Sequence, residues 1–159
     1  MSSTYAADVF RFAVLALQRE GARRLNAALA PLGLTASQAE ALRVLDRFGP
    51  LTVGEVGRHL VCESGSPSRL TSTLADRGLV ARGESEADRR VLVLSLTDEG
   101  KRLADGVAEI EAEYLDAVSS RMPDAEALGA LATMLAQAVD DPQLKHALSK
   151  RFPDIVASE

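Results

Sequence analysis

Five small or basic residues in one short stretch are spaced for recognition rather than for bond-making: Ser66, Ser68, Arg69, Ser72 and Thr73. In a helix begun at Pro67 they point away from Pro67, Leu70, Thr71 and Leu74, which recur at helical spacing and need a core. A guanidinium among short hydroxyls can reach phosphates and base edges without clashing, and arginine can pair bidentately with guanine. An ordinary polar helix face has the same composition, so the neighbouring elements must decide. A second basic group follows at Arg89 and Arg90. A guanidinium there can enter a narrow minor groove, where the potential is most negative. Phosphate would repel Asp88, so its expected work is to pair with Arg82 or a neighbouring arginine and fix the local shape.

Two predicted helices and a hairpin position these groups. Thr52 and Glu55 have the capping-box spacing, and Val53, Val56, Gly57 and Leu60 share one face, which predicts a helix over 53–60. Ser66 can cap the next helix, with Pro67 at its first position and Gly78 ending it. Two short helices joined by a turn fit a helix-turn-helix. The apolar runs 79–82 and 91–96 then read as strands around the polar loop GESEADRR.

Taken together, these residues resemble the MarR family of winged helix-turn-helix transcription regulators. The family's wing pattern reads here as Arg82, Asp88, Arg90, Leu96, Thr97 and Gly100, and LGLTASQAEALRVL (32–45) is similar to the helix before the reader. The resemblance runs to about Val139. It implies a triangular homodimer on a palindromic double-stranded operator and a repressor of neighbouring genes, released by an aromatic or lipophilic small molecule. The effector cleft would be walled by Phe12, Leu15 and Arg19 with the helix after the wing. Some relatives sense oxidants through a cysteine near the amino terminus; here Cys62 stands alone at the turn and reads as an apolar filler.

Elsewhere the pattern is helical. Ser3 or Thr4 can cap a helix over 5–32 with the stripe Phe10, Val14, Leu17, Gly21, Leu25, Ala28 and Leu32; Arg19, Arg23 and Arg24 form a solvated face. Thr35 and Gln38 repeat the capping box ahead of a helix over 36–48. Thr97 caps a long helix with the stripe Leu103, Val107, Ile110, Tyr114 and Val118. Met122 and Pro123 break the chain before Leu128, Leu131, Leu135 and Val139. Asp141-Pro142 opens a last helix whose placement is open. The expected fold is mainly α with a small β-hairpin wing (α+β): a dimerisation helix in 1–34, a winged helix-turn-helix in 35–100 and dimerisation helices in 101–159.

At 159 residues and 47% hydrophobic, the chain can build one domain with a fair core. Its net charge of −5 argues against indiscriminate nucleic-acid binding, and from Leu51 to Arg102 eight cations face eight carboxylates. DNA binding therefore requires segregated charge; a winged protein-interaction module that has lost DNA binding is the alternative. No metal, cofactor or catalytic motif is recognised, and His59 and His146 stand apart from any ligand cluster. The apolar run 13–17 is too short to span a membrane, so a cytoplasmic protein is expected.

Overall fold

A computed structural model describes residues 2–62, 65–85, 87–121 and 124–156. The break expected at Met122 and Pro123, and Glu86 of the wing loop, lie outside them. The elements run α1 (Ser3–Leu29), a 3-10 turn (Ala30–Leu32), α2 (Ala36–Phe48), α3 (Val53–His59), α4 (Pro67–Asp76), β1 (Val80–Glu84), β2 (Leu92–Leu96), α5 (Asp98–Ser119), α6 (Ala125–Gln137), α7 (Pro142–Arg151) and α8 (Pro153–Val156). The chain is mainly helical with one antiparallel hairpin, as its pattern predicted.

Local chemistry sets most boundaries. Both capping boxes form: Thr35 Oγ1 accepts from Gln38 N and Thr52 Oγ1 from Glu55 N, each returned by the partner's side chain. The α1 cap is Ser2, whose Oγ accepts from Tyr5 N at 3.3 Å, rather than Ser3 or Thr4. α1 gives way to a 3-10 turn at Ala30 instead of continuing to Leu32, because Pro31 has no amide to donate back along the helix. α4 ends in a complete Schellman motif. Gly78 sits at φ +69°, with Leu79 N on Leu74 O and Gly78 N on Ala75 O.

β1 and β2 pair from Val80 opposite Leu96 to Glu84 opposite Leu92. Leu51 adds a bridge to Leu94 through two main-chain bonds of 3.1 and 2.7 Å, tying the hairpin to the entrance of α3. Thr97 locks the hairpin's exit: its Oγ1 donates to Gly78 O at 2.7 Å and accepts from Gly100 N at 3.0 Å.

One core runs from Leu29 through Leu42, Val56, Leu74 and Leu94 to Leu103, Ala104 and Val107. Beyond it, apolar surface is left over. Phe10 and Leu17 on α1 are 52% and 63% exposed, and α6 has no buried residue. On α5 the expected stripe is buried at Leu103 and Val107 but open at Tyr114. α7 packs on α3, with Ala147 fully buried. No helix among the described residues is long and apolar enough to cross a membrane.

Candidate nucleic-acid interface

The two reader helices are set close by a glycine. A Cβ on Gly57 would lie 2.8 Å from Pro67 Cγ, so α3 and the start of α4 approach as near as a bare backbone allows. α4 then buries Leu70, Thr71 and Leu74 and exposes Ser68, Arg69 and Thr73. Ser66 occupies the N-cap position, but its hydroxyl makes no capping bond, contrary to expectation. Pro67 at the first position supplies no amide, and the first turn is left without a side-chain cap. Thr73 Oγ1 bonds back to Arg69 O at 2.9 Å.

The wing differs from its expected wiring. Among the described residues Asp88 forms no ion pair with Arg82. Its Oδ1 instead accepts from the Arg90 amide at 2.9 Å, an Asx turn that shapes the tip. β-strand geometry carries Arg82 towards α4, where its Nη2 donates to Ser72 Oγ at 2.8 Å. Ser72 is thus half-buried and joins wing to reader helix. Arg69, Arg89 and Arg90 are exposed and make no side-chain hydrogen bond or ion pair among the described residues. Several carboxylates of this segment are engaged locally: Glu55 in its capping box, Asp88 in the turn and Glu99 on Arg102 at 2.6 Å. Those bonds with Thr52 hold the Glu55 carboxyl below its usual pKa, and the bond from Arg102 does the same for Glu99.

A cavity of about 510 Å³ lies between α1, α2, α5 and the end of α7. Leu25, Phe48, Leu115 and Phe152 wall it; Arg47, Arg151 and Tyr114 give it polar groups. Phe12, Leu15 and Arg19, the residues expected there, do not line it. They lie nearer the start of α1 and stay exposed, Phe12 at 58% and Leu15 at 49%, whereas Tyr114 of α5 meets α1 at Gly21.

The sequence of residues 32–91 matches the family model described as MarR family. The chain is 31% identical over 104 residues to an organic hydroperoxide resistance transcriptional regulator of Bacillus subtilis, covering 65% of this chain and 71% of that protein. The chain belongs to the MarR family. It is also 33% identical over 87 residues to the transcriptional repressor MdtR of B. subtilis, across 52% of this chain and 56% of the repressor. In structure, this MarR-family chain superposes on a cysteine-to-serine mutant of MarR from E. coli complexed with operator DNA. The TM-score is 0.71 at 20% identity, over 88% of this chain and 100% of that one, a likeness of fold.

Three features of this MarR-family site gave no local signal in the sequence. Glu40 is 9% exposed, yet its carboxylate accepts from Val61 N at 2.9 Å and Cys62 N at 2.8 Å and meets Arg151 Nη2 at 3.0 Å. His59 is buried, stacked on Phe48 with centroids 4.3 Å apart, and its ring lies 6.2 Å from that of His146. The two histidines are therefore neighbours rather than isolated, though no group of three metal-ligating side chains occurs among the described residues. Burial, then the electrostatic influence of the neighbouring His146 ring, lowers the His59 pKa.

Cys62 is half-buried, and burial together with the charge of Glu40 pushes its thiol up to about 11. At neutral pH only ~10⁻⁴ of such a thiol is thiolate, the reactive form. Cys62→Ser should therefore leave DNA mobility unchanged with and without cumene hydroperoxide, and the parent thiol should alkylate slowly with iodoacetamide. An oxidant response lost in the mutant alone would show that the cysteine is a sensor.

Proposed function

We propose that the chain is a dimeric, sequence-specific DNA-binding repressor of neighbouring genes, acting in the cytoplasm and released by a small aromatic or lipophilic ligand. The observation that carries the DNA-binding part is the exposed outer face of α4, joined to a basic wing by Arg82 on Ser72. In this reading Ser66, Ser68, Arg69, Ser72 and Thr73 approach the major groove, and Arg89 and Arg90 the minor groove. The uncapped first turn of α4 offers its amides to phosphate. The MarR structure solved with operator DNA supports the same docking by fold.

Residues 35–100 serve as the reader, and the segments 1–34 and 101–159 dimerise. Support comes from the open apolar groups of α1, α5 and α6, including Phe10, Leu17, Leu115 and Met134, which a second copy would cover. Two reader helices then lie about one DNA turn apart, ~34 Å, and the operator is palindromic. The ligand would occupy the cavity of about 510 Å³, a volume suited to a small molecule with an apolar body.

A gel shift against the DNA upstream of the chain's own gene, at low and then higher salt, tests the reading alongside sedimentation. A dimer is expected to retard that DNA, with affinity falling as salt rises. Deleting residues from Asp124 onward should give insoluble or monomeric protein without operator binding. A well-behaved truncated monomer that still binds would refute the dimer, and no shift by the full chain would favour the interaction-module alternative.

A further inference from the structure

His59 ends α3 with its ring in a dry stack. The ring lies on Phe48 of α2, centroids 4.3 Å apart, and 6.2 Å from the ring of His146 on α7. The residue is 8% exposed, and among the described residues its Nδ1 is buried with no hydrogen-bond partner. A neutral imidazole can leave that nitrogen bare. A charged one must bury a second N–H without an acceptor. The surroundings offer such a charge no relief. Arg58 acts on the ring from α3 itself, and Lys150 and Arg151 act on it from α7. α2 brings the Arg47 guanidinium to 5.5 Å from the centroid of the Phe48 ring. The carboxylates of this junction are committed: Glu55 accepts from Thr52 N and Oγ1, and Glu40 from Val61 N, Cys62 N and Arg151.

We propose that the His59–His146 contact is a proton-operated catch: α7 sits on α3 while His59 is neutral and lifts away when that ring takes up a proton. α7 is the side that can move. Its only buried residue among those described is Ala147, whereas Phe48 packs on the central core. Lifting α7 also withdraws Gln143 Nε2 from Gly57 O, a bond of 3.3 Å at the residue where Pro67 rests against α3. Burial first, then His146, Arg151, Lys150 and Arg58, hold the docked His59 pKa below its ordinary value of about 6.5. The undocked ring therefore binds a proton more readily than the docked one. Docking is at full strength above about pH 6.5 and weakens as pH falls below it, by at most about tenfold per unit for one imidazole, until the docked ring itself titrates.

Nuclear magnetic resonance on the full chain tests this without DNA or ligand. Two quantities are followed: the titration of the His59 Cε1 proton, and amide exchange corrected for its intrinsic pH dependence. From pH 7.5 to 5.5, protection of the α7 amides from Lys145 to Ser149 should fall several-fold, up to about tenfold. The α5 amides from Leu103 to Val107 should stay slow, and His59 should titrate below pH 6.5. His59→Phe keeps an aromatic ring on Phe48 and should hold α7 equally well at both pH values. His146→Asn should lessen the acid response without abolishing it. Equal protection of α7 at both pH values in the parent would overturn the catch. So would acid opening that persists unchanged in His59→Phe, which would assign it to another group. Titration of His59 at or above pH 6.5 in the docked parent would overturn it too, whether or not either variant folds.

Discussion

Gly100→Ala lowers the midpoint of thermal unfolding by several degrees, the largest stability loss expected from any single methyl in this chain. Built on the backbone, a Cβ at Gly100 would lie 1.9 Å from the carbonyl oxygen of Leu79 and 2.9 Å from its carbon. Neither atom can yield alone. Leu79 O also accepts from Thr97 N at 3.1 Å, and Leu79 N closes the Schellman motif on Leu74 O at 3.0 Å. The added methyl must therefore pry the start of α5 from the root of the hairpin. Overpacking of this kind costs ~3 kcal/mol, at the upper end of its usual range, or about 6–12 °C in a chain of this size. Gly129→Ala is the control. It sits within α6 with nothing within 4 Å of its added Cβ, so the helix-favouring exchange should be neutral or stabilising. Thermal unfolding by circular dichroism of both mutants checks the pair; equal midpoints would show that the hairpin root gives way freely.

The second large effect separates reader from wing, given the proposed DNA binding. Arg69 is exposed on α4, where a major groove presents a distinct donor and acceptor pattern for each base pair. Arg69→Ala should cost roughly 1–3 kcal/mol on the operator and relax preference at one position per half-site. Arg90 stands at the wing tip, beside the Asx turn of Asp88. Arg90→Ala should weaken binding to varied sequences more evenly and flatten the salt dependence by about one unit of log–log slope per lost contact. Asp88→Ala should also weaken binding although it removes a negative charge, because the Arg90 amide loses its acceptor and the tip must be ordered at each encounter. Fluorescence anisotropy on operator and scrambled DNA across a salt series measures all three. Tighter binding by Asp88→Ala would mean that the carboxylate merely repelled phosphate.

What the sequence made legible was local. Thr35 with Gln38, Thr52 with Glu55, and Thr97 ahead of Asp98 announce helix starts through bonds that close within three residues. Gly78 does the same for a helix end. The cap of α1 falls on Ser2, one residue before the expected Ser3 or Thr4, through the same kind of local bond. Side-chain partners across elements were hidden. Arg82 has Asp88 within a short loop's reach yet bonds Ser72, because the strand turns it towards α4. The cavity lies further along α1 than Phe12, Leu15 and Arg19, because a helical stripe gives the phase of a face but not the level at which another helix crosses it. Glu40 and Arg151 carry no pattern at all, since their pairing depends on where α7 comes to rest.

The split burial of α5 has a mechanical consequence. Leu103, Ala104 and Val107 root its first half in the reader's core, while Tyr114 and Leu115 stand open near its far end. A straight helix of 22 residues is a rod of ~33 Å. Rotating its open end by ~5° sweeps the rooted end through ~3 Å, a sizeable part of one base-pair step, by simple leverage over that rod length. In the proposed dimer, gearing of this ratio would turn sub-ångström repacking beside Tyr114 into a mismatch of pitch between two rigid bodies and a double helix.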